Sequence, residues 1–228
     1  GVGINSYYES IETDSTASAQ QKKLKGNYFD NFINLNFDYD KRNQKFQPSQ
    51  GFRNYFSTDL PIVSETNTLA NTFITTNYFE YFDSNILKSS FYFRNSNSIT
   101  GDNIKLSERL YLPSNRLRGF ESGKVGPKDG NDFIGGNYIA SLNFSSNVPK
   151  ILENSQTTDI IIFFDVANVW GVDYDSALDT SDDIKSAIGL GLDWFSPIGP
   201  MNFTLSQHLS KGSNDVTESF RFNLGTTF

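Results

Sequence analysis

Apolar and polar residues alternate with a period of two along much of the chain. In the clearest run, Phe32–Asp40, the apolar residues Ile33, Leu35, Phe37 and Tyr39 are separated by Asn and Asp residues. Because successive side chains of a strand point to opposite faces, this run predicts a strand with one apolar and one polar face.

The same alternation recurs in later segments of the chain. The apolar positions at every second residue in its second half are Tyr138, Ala140, Leu142 and Phe144; Ile160, Ile162, Phe164 and Val166; Ile188, Leu190, Leu192 and Trp194; and Met201, Phe203 and Leu205. Earlier runs lie at Phe52 to Leu60, where Pro61 is expected to break the pattern, and at Leu69 to Tyr81. The segments amount to roughly ten strands of about ten residues, the length that a tilted strand needs to cross a bilayer.

This pattern predicts an all-β fold, a transmembrane antiparallel β-barrel. The mean hydropathy of −0.44 and the absence of an apolar run of ~18 residues exclude a transmembrane helix. Period-two alternation leaves a soluble β-sandwich as the alternative. Two features favour the barrel: aromatic residues cluster near predicted strand ends, and Gly189 and Gly191 share the polar face with Asp193, as in a polar lumen.

Charge and composition narrow the range of functions. The net charge of −7 argues against nucleic-acid binding, which needs a concentrated basic face, so no nucleic-acid partner is expected. With no cysteine, the chain has neither a disulfide framework nor a thiolate metal site. It begins at Gly1 without Met or a signal peptide, which predicts a fragment or a processed product.

One polar stretch, Arg116–Pro127, interrupts the alternation. It contains three glycines, a proline and several charges, which do not suit a strand interior. It lies within a connection of residues 100–136, well beyond the usual ceiling of ~12–15 residues for structureless loops. We therefore predict an ordered, functional loop in this region.

Four motifs within and beyond this loop resemble the BamA family of outer-membrane protein assembly factors. They are Arg118-Gly119-Phe120, Gly126-Pro127 with Gly135-Gly136, the strand Phe163-Phe164-Asp165-Val166-Ala167-Asn168-Val169-Trp170, and the Ser196-Pro197-Ile198-Gly199-Pro200 turn. The resemblance implies that residues 1–228 are the C-terminal part of the barrel domain, about the last ten strands of a sixteen-stranded barrel. The related TamA family shares the Arg-Gly-aromatic motif and is kept as an alternative.

The resemblance also implies how the loop is held. Arg118 is expected to pair with Asp165 on the inner wall, since a guanidinium binds a carboxylate bidentately. The second acid of the family falls at Asn143, which can accept one hydrogen bond but carries no charge, so weaker docking is expected.

The glycines and the aromatic residue of the loop have expected roles as well. Gly119 is expected to provide backbone freedom beside the ion pair, and Phe120 an apolar anchor or a contact with substrate. Gly135 and Gly136 are expected to turn the chain back into the next strand.

The closing strand is the second implied site. In the family it forms a weakly paired seam, at which Gly225 would interrupt the ladder and client strands would add by β-augmentation. Phe222, Leu224 and Phe228 resemble the terminal aromatic signal of outer-membrane proteins. Ordinary lipid-facing alternation explains the same spacing.

Two chemical sites receive less support from the sequence. Ser206, His208 and Asp193 fall on inward faces, but no nucleophile motif surrounds Ser206 and catalysis is not expected. The acidic run at Asp173–Asp183 lacks EF-hand spacing and is expected to be a solvated outer loop.

The function that the resemblance implies is folding and insertion of β-barrel proteins into the bacterial outer membrane, without a cofactor and without enzymatic chemistry. The implied partners are unfolded barrel clients, outer-membrane lipids, and accessory lipoproteins bound through periplasmic domains outside this chain. A passive porin-like channel is a further alternative, which would need no ordered Arg-Gly-Phe loop.

Overall fold

The computed structural model describes residues 1–82, 85–148, 158–196 and 199–225. In these residues, ten strands form one antiparallel sheet in which neighbours follow chain order. The strands are β1 Val2–Ile11, β2 Gly26–Asp40, β3 Gly51–Ser64, β4 Thr68–Phe82, β5 Asn85–Ser98, β8 Tyr138–Asn147, β9 Thr158–Trp170, β10 Lys185–Ser196, β11 Gly199–Ser210 and β12 Phe220–Leu224. A small separate hairpin, β6 Lys128–Asp129 and β7 Asp132–Phe133, lies between β5 and β8. The predicted all-β fold is confirmed.

Helices are few and short in the described part of the chain. One, α1 Ala19–Lys23, lies in the connection between β1 and β2. Ser18 caps it by accepting a hydrogen bond from the backbone of Gln21, whose side chain in turn accepts from the Ser18 N–H. Leu106–Glu108 and Ser176–Leu178 form single 3-10 turns. Among the described residues, no helix is long and apolar enough to cross a membrane.

The two faces of the sheet follow the predicted alternation. On its convex side, apolar side chains are exposed, with Phe37 at 65% and Leu190 at 51% exposure. On its concave side, which we call the lumen, Asp165 and Ala187 are fully buried. An exposed apolar face opposite a polar interior is the arrangement of a membrane barrel, in which lipid covers the outward side chains.

Pro61 does not end its strand, contrary to the sequence-based expectation. Strand β3 continues to Ser64, and the register with β2 shifts so that Phe32 pairs with Pro61 while Asn31 pairs with Val63. The extra residue, Ile62, makes a β-bulge. A bulge can accommodate a proline that has no N–H for the ladder.

Most of the long connections meet at one end of the sheet. Four of them, residues 12–25, 99–137, 171–184 and 211–219, lie at this end, which we call the loop end. One connection at this end is short, because residues 65–67 form a turn between β3 and β4. At the opposite end, Gln47 of the β2–β3 connection donates from Nε2 to Asp159 Oδ2 of β9 at 3.4 Å. Because β2 and β9 are far apart in strand order, this contact shows that the sheet curls round into part of a barrel.

The curled sheet has two free edges in the described residues. Strand β1 pairs only with β2, and β12 pairs only with β11. Unpaired N–H and C=O groups at an edge are a template for a further strand.

The outward exposure of β10 predicts how charge is tolerated. Leu190→Arg should destabilise the membrane-inserted full-length protein by about 2–4 kcal/mol, because it places a guanidinium in hydrocarbon near mid-strand. The matched change Asn202→Arg, on the lumen side beside Asp193, should cost much less. Urea unfolding in liposomes measures both, and equal costs would contradict the assigned faces.

Candidate functional site

Residues 99–137, which we call the lumenal loop, fold back against the concave wall of the sheet. The loop and the wall share one hydrophobic cluster. Its members from the loop are Leu110, Leu112, Leu117, Phe120 and Val125, and those from the strands are Tyr92, Ile139, Ala167, Val169 and Ala187. Burial of apolar surface therefore holds a segment that is rich in polar and glycine residues.

Arg118 and Asp165 meet at the centre of this contact. Arg118 donates from Nε to Asp165 Oδ2 and from Nη2 to Oδ1, both at 2.8 Å, and its backbone N–H donates to Oδ2 at 3.0 Å. The Asp165 side chain is fully buried, while that of Arg118 is 18% exposed. The guanidinium also lies 3.6 Å from the centre of the Phe163 ring. The structure thus brings together the two residues that the sequence paired.

Asn143 completes the shell of Asp165 in a way that the sequence did not predict. Its Nδ2 donates to Asp165 Oδ1 at 2.9 Å and to the Arg116 carbonyl at 2.8 Å. The resemblance implied an acid at this position. Asn143 stands there instead and donates hydrogen bonds to Asp165 and to the loop backbone. A buried carboxylate needs such donors, so a neutral amide supports this docking rather than opposing it.

Gly119 and Phe120 continue the loop beyond the ion pair. Gly119 has a φ of +90°, and a Cβ there would lie 3.2 Å from Ser206 and 3.3 Å from Ala187. Both the left-handed backbone and the close approach to the wall therefore favour glycine. Phe120 is 1% exposed and packs in the cluster, so it is an apolar anchor, not a surface available to substrate.

The loop also pairs with the connection that precedes the closing strand. Glu218 N–H donates to the Gly119 carbonyl at 3.0 Å, and Glu121 N–H donates to the Val216 carbonyl at 2.9 Å. These bonds flank a bridge between Phe120 and Thr217. The segment thus has ladder partners of its own, as buried backbone groups require.

Gly135 and Gly136 lie where the loop re-enters the sheet, as predicted. Gly136 exchanges backbone hydrogen bonds of 2.8 and 2.9 Å with Leu110, so the two limbs of the loop meet here. A Cβ on Gly136 would lie 2.3 Å from the Trp170 carbonyl oxygen, a distance that no side chain tolerates. Gly135 has a φ of +67°.

The closing strand carries the other predicted residues. Phe222 and Leu224 face outward with 47% and 62% exposure, and Gly225 follows the strand with a φ of +113°. Phe228 lies outside the described residues. The outward direction of these apolar side chains fits lipid-facing alternation. The unpaired backbone groups on the outer edge of β12 could pair with a further strand.

The candidate catalytic residues do not meet. Ser206 donates to the Glu218 carbonyl at 3.2 Å, and Asp193 accepts from Asn202. In the ladder Ser206 pairs with Gly189, whereas Asp193 pairs with Asn202, four residues away. His208 pairs with Ala187, further still from Asp193.

The acidic run lies in an exposed connection, as expected, and some of its carboxylates also bond to neighbouring segments. Asp173 accepts from Arg109 and, at 2.8 Å, from the backbone of Ile104, so it fixes the first limb of the lumenal loop. Asp175 caps a 3-10 turn, and Asp179 accepts from Gly171 N–H at 2.7 Å. The sequence offers no local signal for the contacts of Asp173, because its partners lie 64 and 69 residues earlier in the chain.

A cavity of about 850 Å³ lies between the tip of the lumenal loop and the opposite end of the sheet. Its lining includes Arg116 and Arg118 from the loop, and Lys88, Asp193 and Arg221 from the strands. The loop therefore forms the wall of this cavity on the side of the loop end.

The comparisons with known proteins agree with this arrangement. The sequence profile of the Omp85 superfamily domain matches residues 2–228. The chain belongs to the Omp85 superfamily. Within Omp85 proteins, the crystal structure of BamA from Haemophilus ducreyi lacking POTRA domains 1–3 has a TM-score of 0.78 and 20% identity. The match covers 87% of this chain and 43% of that chain, and it confirms the partial-barrel fold.

Curated Omp85 relatives are named outer membrane protein assembly factor BamA. The relative from Neorickettsia risticii is 27% identical over 132 residues, covering 57% of this chain and 18% of that protein. The relative from Neisseria meningitidis serogroup B is 30% identical over 139 residues, covering 49% and 17%. The matched part is less than a fifth of each relative. The predicted resemblance to BamA and the outer-membrane location are confirmed.

The geometry of the ion pair predicts the stability of the Omp85 loop. Arg118→Ala should weaken loop docking by about 3–5 kcal/mol, because Asp165 stays buried without its cation. Arg118→Lys should recover only part of this, since an ammonium cannot match both carboxylate oxygens. Protease cleavage of the lumenal loop in the full-length protein measures the effect; equal protection in all three proteins would contradict it.

The loop re-entry gives a second prediction. Gly136→Ala should expose the lumenal loop to protease because its Cβ would collide with the Trp170 backbone. The control Gly123→Ala has open space around the new Cβ and a positive φ of +74°, so only a backbone cost of about 1 kcal/mol is expected. If Gly136→Ala proved milder than the control, the assigned packing would be wrong.

Proposed function

We propose that residues 1–228 form the C-terminal part of the barrel domain of an outer-membrane protein assembly factor, which promotes folding and insertion of β-barrel proteins. The observation that carries this proposal is the lumenal loop, docked by Arg118 on Asp165 inside an Omp85 sheet. The relatives named BamA support it.

The outer edge of β12, which pairs with no strand among the described residues, suggests how the protein acts on clients. A client segment in extended conformation can pair with the unpaired groups of this edge, adding a strand to the sheet. Among the described residues, β12 spans five residues, against 12 in β11, so the pairing that these residues offer is limited. Limited pairing lets a growing client sheet exchange with the edge instead of remaining bound.

The docked loop favours this role over a passive porin-like channel. An open channel needs a continuous polar path, whereas here the lumenal loop packs an apolar cluster against the wall of the lumen. Its docking also keeps the shape of the barrel wall fixed while a client strand pairs with the β12 edge. No step of this mechanism needs a cofactor or a chemical reaction.

The proposed partners follow from this mechanism. They are unfolded outer-membrane barrel proteins at the β12 edge, and lipids against the exposed apolar face. Accessory lipoproteins of the assembly machinery would bind the full-length protein through periplasmic domains outside this chain.

The test is reconstitution of the full-length protein in liposomes. An unfolded outer-membrane barrel client should fold faster there than in empty liposomes of the same lipid. A rate equal to that in empty liposomes would overturn the proposed function, and a steady ion conductance without acceleration would favour the channel.

The ion pair should matter for this activity. Arg118→Ala should slow client folding at least about tenfold, which corresponds to 1.4 kcal/mol in the activation free energy. Asp165→Ala should slow it similarly, and the double variant should be no slower than either, because both changes remove one interaction. Lys124→Ala, at a surface pair with Glu121 in the same loop, should leave the rate unchanged. Fully additive effects would contradict a shared role.

A further inference from the structure

Lys105, near the start of the lumenal loop, is buried among acids of other segments. Its side chain is 3% exposed. Its Nζ donates to Glu9 Oε1 of β1 at 2.6 Å and to Asp30 of β2, and it lies 3.7 Å from Glu108 Oε1. A buried cation is stable only when paired in this way.

The surrounding groups hold this cluster in one geometry. Asp30, with 1% side-chain exposure, also accepts from Ser64 and from the backbone of Glu65 at 3.1 Å. Burial acts to lower the pKa of Lys105, but its hydrogen bonds to Asp30 and Glu9 outweigh this and raise it. The lysine therefore stays charged, as a clamp on two strands requires.

Arg221 makes a comparable contact at the other edge of the sheet. It lies on β12 with 14% side-chain exposure, and its guanidinium reaches into the lumen. Nη1 donates to the Ser114 carbonyl at 3.0 Å and Nη2 to the Phe120 carbonyl at 2.5 Å. Glu218 accepts from the same guanidinium at 2.7 and 2.9 Å, which fixes its orientation.

We infer that the lumenal loop is a brace between distant strands of this sheet, with Lys105 positioning β1 through Glu9 and Arg221 positioning β12 through the loop carbonyls. Between these contacts, Arg118 fixes the loop to β9. The loop thus contacts the sheet at β1, β9 and β12, so it sets the distances between these strands. The brace itself stands on geometry, and only its effect on clients rests on the proposed function.

Spin-label distances test the Lys105 end of the brace. The chain has no cysteine, so labels can be placed at Tyr8→Cys on β1 and Ile162→Cys on β9 in a cysteine-free form of the full-length protein in liposomes. Both positions face outward, with 72% and 48% exposure, away from the loop. Lys105→Met should broaden and shift this distance distribution, and Lys105→Arg should restore much of it.

A milder substitution tests the same contact in a protein that is expected to fold. Glu9→Gln removes the ionic contact to β1 while leaving Lys105 with Asp30, and Glu9 is 29% exposed, so the barrel should still fold. Glu9→Gln should shift the distance between the labels at Tyr8 and Ile162 less than Lys105→Met does. Lys124→Met, the same substitution at an exposed lysine of the loop, is the matched control and should change nothing.

The Arg221 end has its own pair of labels. Phe220→Cys and Phe73→Cys report the distance from β12 to β4, and Arg221→Met should broaden it while leaving the Tyr8 to Ile162 distance nearly unchanged. If neither Lys105→Met nor Glu9→Gln alters the first distance in folded protein, or if Arg221→Met leaves the second unaltered, the brace is overturned.

Client folding separates the brace from the proposed function. With the wild-type protein active, Lys105→Met and Arg221→Met should each slow client folding, and Lys124→Met should not. Altered label distances in a protein that never accelerates folding would leave the brace standing and remove the proposed function. Altered distances with unchanged client rates would overturn the role of the brace in assembly.

Discussion

A buried carboxylate on the wall of the barrel determines where the lumenal loop lies. Asp165 has no exposure, and four donor groups from Arg118 and Asn143 surround its two oxygens. Removing Arg118 leaves the buried charge uncompensated, and removing the Asn143 amide leaves one of its acceptor sites unsatisfied; both are costly. The loop is therefore fixed at this point, and the apolar cluster and the glycine contacts are arranged around it.

The period of the strands made this site predictable. Because strand side chains alternate, placing Phe164 outward required Asp165 to face the lumen, and the structure has both residues so. The position of Arg118 came from the resemblance of its motif to a family, not from periodicity. The role of Asn143 could not be derived, since a neutral amide donates or accepts according to neighbours that only the fold supplies.

Other features depend on contacts between distant segments, and these have no local signal in the sequence. A lysine in a polar loop, such as Lys105, is usually solvated, and only the approach of β1 and β2 buries it. Asp173, which lies in the acidic run, forms an ion pair with Arg109 of the lumenal loop. Pro61 was expected to stop a strand, and the bulge in β3 let it continue.

The contacts of the loop also bear on how this barrel itself forms. Lys105 and Glu9 are 96 residues apart in the chain, and Arg221 and Phe120 are 101 apart. Contacts of such separation carry the entropy cost of closing large chain segments before they stabilise anything. The clamp on β1 can form early, but the loop is fully held only when β12 has joined the sheet. Addition of β12 is thus the step that locks the interior.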